Sequence, residues 1–177
     1  MFGLQNNDTD HVRLRVATPA DIAGLTELVA RSFRTLGAGF YTAAQLEAAI
    51  GHVIRVDPGL VLDGTYFVVE QGGRAVACGG YSERISAVPG AGSCPRPEVR
   101  AMFVAPEMAG RGLGTLLLRR AEQGLARAGH SRSYLHATLS GEPFYRRRGY
   151  VFEAALSVPL PASTPLECIT MSRPLVP

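Results

Sequence analysis

Three glycines alternate in the segment from Val99 to Thr115, and their spacing suits the binding of a phosphate. Gly110, Gly112 and Gly114 follow a hydrophobic strand pattern and a proline, and they precede a helical pattern. Small residues allow a ligand to approach the backbone closely. The N–H groups of a first helical turn have no partner within the helix and lie at the positive end of its dipole. The segment therefore predicts a loop that binds phosphate oxygens, although glycines that only turn the chain would leave the same pattern.

The spacing excludes two common nucleotide-binding motifs. A P-loop ends in Gly-Lys-Ser/Thr, and all 18 basic residues of this chain are arginines. A dinucleotide fingerprint reads G-x-G-x-x-G with an acidic residue about 20 positions later, whereas this loop reads G-x-G-x-G and no later strand ends in a suitable acid. A phosphate bound by this loop would therefore belong to another kind of ligand.

The same segment resembles the acyl-CoA-binding motif of the GNAT superfamily of acetyltransferases. The strand ends in Met102-Phe-Val104-Ala-Pro106, and Ala109-Gly-Arg-Gly-Leu-Gly114 follows as the glycine loop. Ala109 stands where the family has its first Arg or Gln, so a side-chain contact is lost there. Arg111 is a cation that can partly replace it near the phosphates.

A second segment, from Leu135 to Tyr150, resembles the family's strand, short helix and Phe-Tyr-x-x-x-Gly-Phe/Tyr motif. Thr138 and Gly141 stand where the family often has Asn and Ala. The resemblance covers about Val12 to Arg173. It implies an α/β (α+β) GNAT fold with a mixed, mostly antiparallel sheet of six to seven strands and about four flanking helices.

The resemblance implies acetyl-CoA as co-substrate and an amine as acceptor. The backbone of the motif strand would hold the thioester carbonyl and the pantetheine arm, through Met102, Phe103 and Val104. The loop would hold the pyrophosphate through Ala109, Gly110, Arg111, Gly112, Gly114 and Thr115. Tyr145 matches the family's general acid, because a phenol with a pKa near 10 keeps its proton at neutral pH. Alternatively, Tyr145 only packs against the co-substrate.

Glu98 is the first candidate for the general base that makes the amine neutral. Its even offset from Met102 and Val104 predicts that the three side chains share one face of the strand. Glu83, His136 and a chain of water molecules are the alternatives. Phe40 and Tyr41 are candidate acceptor-pocket residues, with packing on the sheet as their alternative role.

Element patterns give the order β-α-α-β-β-β-α-β-α-β-β. A capping box from Thr42 to Gln45 predicts a helix that continues to about Ile54. A later helix from Thr115 to Ala128 is expected to bury five apolar residues, namely Leu116, Leu117, Leu118, Ala121 and Leu125. The three prolines and two glycines between Ser86 and Pro97 indicate an irregular loop.

Composition limits the class of protein. With 177 residues, 46% hydrophobic and 19% charged, the chain fits one globular domain at 12–177 after a flexible tail at 1–11. No apolar run approaches about 18 residues, and the polar, acidic first ten residues differ from a signal peptide, so a cytoplasmic protein without a membrane partner is expected. Three cysteines without paired spacing predict neither a disulfide nor a metal site.

The net charge of +3 and the absence of interleaved aromatic and basic residues argue against a nucleic-acid partner. The family resemblance makes an N-acetyltransferase acting on a small molecule or peptide, as a monomer or homodimer, the main hypothesis. A GNAT-like module that binds acyl-CoA without turnover is the alternative. An acetyltransferase directed at aminoacyl-tRNA is a third possibility.

Overall fold

A seven-stranded sheet forms the centre of the computed structural model, which describes residues 11–86, 88–92 and 95–175. The strands follow the order β1-β2-β3-β4-β5-β7-β6, and every neighbouring pair is antiparallel except β4 and β5. The predicted mixed, mostly antiparallel sheet is confirmed. The bounds are β1 Val12–Val16, β2 Tyr66–Gln71, β3 Arg74–Ser82, β4 Glu98–Val104, β5 Arg132–Thr138, β6 Val151–Val158 and β7 Leu166–Pro174.

Five α-helices flank the sheet in the described part of the chain: α1 Ile22–Gly37, α2 Ala43–Ala49, α3 Pro58–Leu62, α4 Leu113–Arg127 and α5 Glu142–Arg146. Single 3-10 turns at Pro19–Asp21 and Pro106–Met108 precede α1 and the glycine loop. No described helix has the length and apolarity that a membrane crossing requires. The predicted tail lies outside the described residues, except for His11.

Helix α2 begins at the predicted capping box but ends five residues before Ile54. The Thr42 side chain accepts the Gln45 N–H, as the sequence predicts. The N–H groups of residues 52, 53 and 54 all donate to the Ala49 carbonyl, and Gly51 has a φ of +81°. The chain therefore leaves α2 in a turn. It re-forms a helix at α3, which the sequence analysis did not predict and which Asp57 caps through the Gly59 N–H.

The helices lie on both faces of the sheet. Helices α1, α2 and α3 pack on the face that carries Tyr66, Cys78 and Phe103. The buried residues of α4 pack on the other face, and they include four of the five predicted ones, Leu117, Leu118, Ala121 and Leu125. Leu116 is exposed, contrary to prediction, because it lies about one third of a turn away from this stripe.

Strand β4 contains a bulge that determines which side chains share a face. Cys78 pairs with Phe103 and Gly80 pairs with Arg100, so three steps along β4 match two along β3. Ala101, within the bulge, has a φ of +48°. Opposite it, a Cβ on Gly79 would lie 2.6 Å from the Met102 side chain, which explains the glycine.

The bulge reverses the alternation of side chains along β4. Arg100 and Phe103 lie on the same face, whereas Met102 and Val104 pack with the α4 face. Because Glu98 is two residues before Arg100, it shares the face of Arg100 and Phe103. The prediction that Glu98 shares a face with Met102 and Val104 is therefore wrong.

Strands β4 and β5 are joined at only one register position. Glu98 pairs with Tyr134 in parallel, and the Tyr134 N–H donates to the Pro97 carbonyl at 2.9 Å. No further pair of the two strands is in register among the described residues. The carboxyl-terminal ends of β4 and β5 therefore diverge and leave an open edge on each strand.

Candidate active site

Two cavities lie along the divergence of β4 and β5. The first, here called the glycine-loop cavity, has a volume of about 380 Å³ and lies between α1, the end of β4, the start of α4, and α5. The second, here called the His136 cavity, has a volume of about 150 Å³ and lies between β4, β5, β7 and the segment after α2. Both are lined by Met102, Phe103, Thr138, Gly141 and Tyr145.

The glycine loop leaves the start of α4 free of side-chain caps. Gly112 is the N-cap residue, and Gly110 and Gly112 have φ values of +77° and +83°, which favour glycine. A Cβ on either glycine would meet nothing within 4 Å. Both line the cavity, so the unpaired N–H groups of the first turn of α4 are adjacent to it.

Gly114 has a different role. A Cβ on this residue would lie 3.0 Å from the Phe144 ring, so the glycine lets α5 pack closely against α4. Ala109, Gly114 and Thr115 also line the glycine-loop cavity. Arg111 is exposed and is absent from the lining of this cavity.

Arg148, at the end of the Arg146-Arg-Arg148 run, is the arginine that lines the glycine-loop cavity. Its guanidinium donates to the Thr115 hydroxyl and, at 2.8 Å, to the Phe144 carbonyl, and it lies 3.7 Å from the centre of the Phe144 ring. Desolvation lowers the pKa of Arg148 from its usual value. No described carboxylate forms an ion pair with it, so the cavity contains a cation without a counter-ion.

The open edge of β4 is formed by Val104. The Ala105 N–H donates to the Val76 carbonyl at 2.8 Å, and hydrogen-bonded pairs alternate along an antiparallel ladder. The backbone N–H and C=O groups of Phe103 consequently bond to β3, whereas those of Val104 point away from β3. The Ser32 hydroxyl of α1 donates to the Val104 carbonyl at 2.7 Å.

Sequence reasoning missed Ser32, although a signal for it exists. Ser32 is a polar residue among Leu28, Val29 and Phe33 on the apolar stripe of α1, and it is only 2% exposed. A buried hydroxyl requires a hydrogen-bond partner. Its position therefore indicates a contact with the backbone of a neighbouring strand.

Tyr145 lies where the two cavities meet. Its ring packs edge-on against Phe144 and Tyr150, with ring centres 5.0 and 5.7 Å away. Burial raises the pKa of Tyr145 well above its usual value of 10. The phenol is therefore protonated at neutral pH, and none of the hydrogen bonds among the described residues involves its hydroxyl.

Glu98 and His136 form a buried pair beside the His136 cavity. The His136 Nε2 atom lies 3.2 Å from Glu98 Oε1, and Nδ1 lies 3.0 Å from the Thr170 hydroxyl. Glu98 is 0% exposed, and its Oε2 atom has no hydrogen-bond partner among the described residues. His136 lines the cavity, whereas Glu98 does not and lies behind His136. The Glu98 carboxylate therefore communicates with the cavity only through a neighbouring group.

Three predicted residues lie away from both cavities. Phe40 is half exposed and lines neither of them. Tyr41 is buried; its hydroxyl donates to the Glu167 carbonyl and accepts the Leu139 N–H, each at 2.7 Å. Tyr41 thus packs, as its alternative role predicts. Glu83 is exposed and lies 2.7 Å from His130, so it is no candidate base for either cavity.

Cys168 lines the His136 cavity, but burial keeps its thiol protonated at neutral pH. Burial raises the pKa of Cys168 to about 12. The nucleophile of cysteine chemistry is the thiolate. The cavity is therefore unsuited to a covalent acyl-cysteine step.

Comparison with known proteins identifies the family. The model of the acetyltransferase (GNAT) domain matches residues 62–152, just over half of the chain. No curated protein matched the sequence. A search of solved structures found many matches of the same kind.

A GCN5-related N-acetyltransferase from Rhodopseudomonas palustris is 22% identical with a TM-score of 0.75, covering 94% of this chain and 98% of the other. Another from Ralstonia eutropha JMP134 is 28% identical with a TM-score of 0.61, covering 84% and 98%. The PaiA N-acetyltransferase from Thermoplasma acidophilum, solved with coenzyme A, is 15% identical with a TM-score of 0.68, covering 93% and 99%. The chain therefore belongs to the GNAT superfamily of acetyl-CoA-dependent N-acetyltransferases.

Proposed function

We propose that this protein transfers an acetyl group from acetyl-CoA to a primary amine by direct attack in a ternary complex. The donor occupies the glycine-loop cavity and the amine occupies the His136 cavity. The observation that carries this proposal is that the two cavities meet at Tyr145, the residue that matches the family's general acid. The complex of the Thermoplasma PaiA protein with coenzyme A supports the choice of donor.

The donor is held by backbone groups and one cation. The free N–H groups from Gly112 to Thr115 bind the pyrophosphate at the start of α4. Arg148, which lines the cavity, supplies the positive charge beside the phosphates, and the exposed Arg111 lies outside the cavity lining. The N–H of Val104 faces the open edge of β4 and binds the donor arm, while Ser32 holds the carbonyl of the same residue.

Transfer requires two proton movements. The amine nitrogen bonds to the acetyl carbon as the carbon–sulfur bond breaks, and the leaving sulfur takes the proton of Tyr145. The nitrogen loses a proton, which we assign to the pair of His136 and Glu98. Because Oε2 of Glu98 is sealed from the cavity, that proton passes through His136. Tyr145 then regains its proton from solvent.

Calorimetric titration of acetyl-CoA into wild type, Gly112→Glu and Gly112→Ala tests the donor site. Both variants put a residue with a Cβ at position 112, where φ is +83°, and this strain costs about 1–2 kcal/mol of folding free energy. Only the glutamate variant also adds a carboxylate beside the phosphates. We expect micromolar binding by wild type, similar binding by the alanine variant and none by the glutamate variant. Absence of binding to wild type would overturn the proposal.

A screen of primary amines with acetyl-CoA tests the reaction itself. Acetylation of at least one amine, detected by mass and by release of free thiol, is the expected result. Binding of acetyl-CoA without acetylation of any amine would favour the acyl-CoA-binding module instead. The cytoplasmic location and the absence of a nucleic-acid partner are predictions from composition, and the monomeric or homodimeric state is a prediction from the family resemblance.

A further inference from the structure

Arg100 lines the His136 cavity with hydrogen-bonding capacity that the protein leaves unused. Its side chain is only 13% exposed, and its nearest carboxylate oxygens, on Glu98 and Asp57, lie 3.8 and 3.9 Å away. These distances exceed those of hydrogen bonds, and no described residue accepts one from Arg100. A guanidinium has five N–H donors in a planar fork that fits a carboxylate. A mostly buried fork of this kind is prepared for an anionic group.

The charges around the cavity limit the charge of its occupant. Among the described residues, Arg55, Asp57 and Arg100 line the cavity, and Glu98 lies directly behind it. Counting the exposed Arg55, two cations and two anions balance when the histidines are neutral. An occupant with one ammonium and one carboxylate leaves the balance unchanged.

The size of the cavity favours a small occupant. Its volume of about 150 Å³ is below the ~300–1,000 Å³ that is usual for small-molecule sites. Asp57 points one oxygen at the Gly59 N–H, 2.9 Å away, and the other towards Arg100. The second oxygen lies 3.9 Å from Arg100, so Asp57 accepts no hydrogen bond from the guanidinium and leaves its donors available to a ligand.

We propose that the acceptor is an amine that also carries a carboxylate, an amino acid, and that Arg100 is the residue that selects it. This inference rests on the proposed function, since it names the acceptor of that reaction. The Arg100 guanidinium binds the carboxylate through two parallel hydrogen bonds. The bulge at Ala101 places Arg100 on the same face of β4 as Phe103. The amine is then oriented towards Tyr145 and the donor.

The test compares three matched acceptors: an L-amino acid, its carboxamide and the amine that lacks the carboxylate altogether. Values of kcat/KM are compared per neutral amine, because the amino groups differ in pKa. Across a set of such triplets, wild type should prefer the acid over the amide by about 10- to 150-fold, the range for one charge-assisted hydrogen-bonded pair. Arg100→Gln should abolish this preference, and Arg100→Lys should retain part of it.

Arg74→Gln is the matched control, since Arg74 is exposed at the β2–β3 hairpin and lines neither cavity. It should keep the wild-type preference. A wild-type enzyme that acetylates amides or simple amines as well as the acids would overturn the inference, whatever the stability of the Arg100 variants. An unchanged preference in folded Arg100→Gln would also overturn it. Failure to acetylate any compound in the panel would instead contradict the proposed function.

Discussion

Replacing Arg148 by Gln should weaken the binding of coenzyme A while leaving the binding of pantetheine nearly unchanged. Arg148 lines the glycine-loop cavity beside Gly112 and Thr115, at the start of α4. It has no carboxylate partner among the described residues, and its pKa is lowered by desolvation. A phosphate of the donor is the counter-ion that this position lacks, and pantetheine carries none.

The size of the effect follows from these contacts. One charge-assisted hydrogen-bonded contact contributes about 1.5–3 kcal/mol, which corresponds to a rise in Kd of about 10- to 150-fold for coenzyme A. Arg148→Gln also loses the bonds to the Thr115 hydroxyl and the Phe144 carbonyl. Their loss should lower the free energy of unfolding by about 1–3 kcal/mol, less than the stability of a typical domain.

Calorimetric titrations of coenzyme A, dephospho-coenzyme A and pantetheine measure the prediction. The adjacent Arg147→Gln is the control, because Arg147 is exposed and lines neither cavity. Equal weakening of coenzyme A and pantetheine by Arg148→Gln would mean that Arg148 only holds α5 against α4. An unchanged Kd for coenzyme A would refute the reasoning directly. The comparison with dephospho-coenzyme A shows which phosphate is bound.

Three further predictions concern the stability of the fold. Gly24→Ala in α1 should stabilise the protein by about 0.5–1 kcal/mol, because a Cβ there meets nothing within 4 Å. Gly124→Ala in α4 should destabilise it by about 1–3 kcal/mol, because the new Cβ would lie 2.2 Å from the Tyr81 ring; equal urea midpoints would contradict this packing. The free energy of unfolding should also fall above pH 9, since burial raises the pKa of Cys78 and Cys168 from 9 to about 12. The folded state then retains protons that the unfolded chain releases, and each thiol contributes a slope of up to about 1.4 kcal/mol per pH unit. Constant stability from pH 8 to 11 would contradict their burial.

The glycine loop and the fold could be predicted from sequence because local residue types fix them. Proline and glycine set the end of β4 and the turn into α4, and alternating or helical hydrophobic patterns mark the strands and helices. The family resemblance adds the mixed, mostly antiparallel sheet, which local patterns do not contain.

The faces and partners of individual side chains could not be predicted in the same way. The bulge at Ala101 depends on how β4 pairs with β3, and it moves Glu98 to the face opposite the predicted one. The place of Tyr41 in the chain allows either a pocket role or packing on the sheet, and only the structure shows that its hydroxyl bonds to the backbone of distant segments. Three consecutive arginines on a helix cannot all face one way, but local sequence does not tell which of them lines the cavity, and in the structure it is Arg148. These are tertiary effects, and a single sequence does not encode them locally.

Single-turnover acetylation by wild type and Tyr145→Phe, at saturating acetyl-CoA, tests the central claim that transfer occurs where the two cavities meet. Removing the one hydroxyl should lower the rate of acetyl transfer by about 10²–10⁴-fold, the usual contribution of a general acid, while the Kd for acetyl-CoA stays within about twofold. The comparison is made at neutral pH, where the raised pKa of Tyr145 keeps the phenol of wild type protonated and able to protonate the leaving thiolate. An undiminished rate, or a loss explained wholly by weaker binding of acetyl-CoA, would contradict the account.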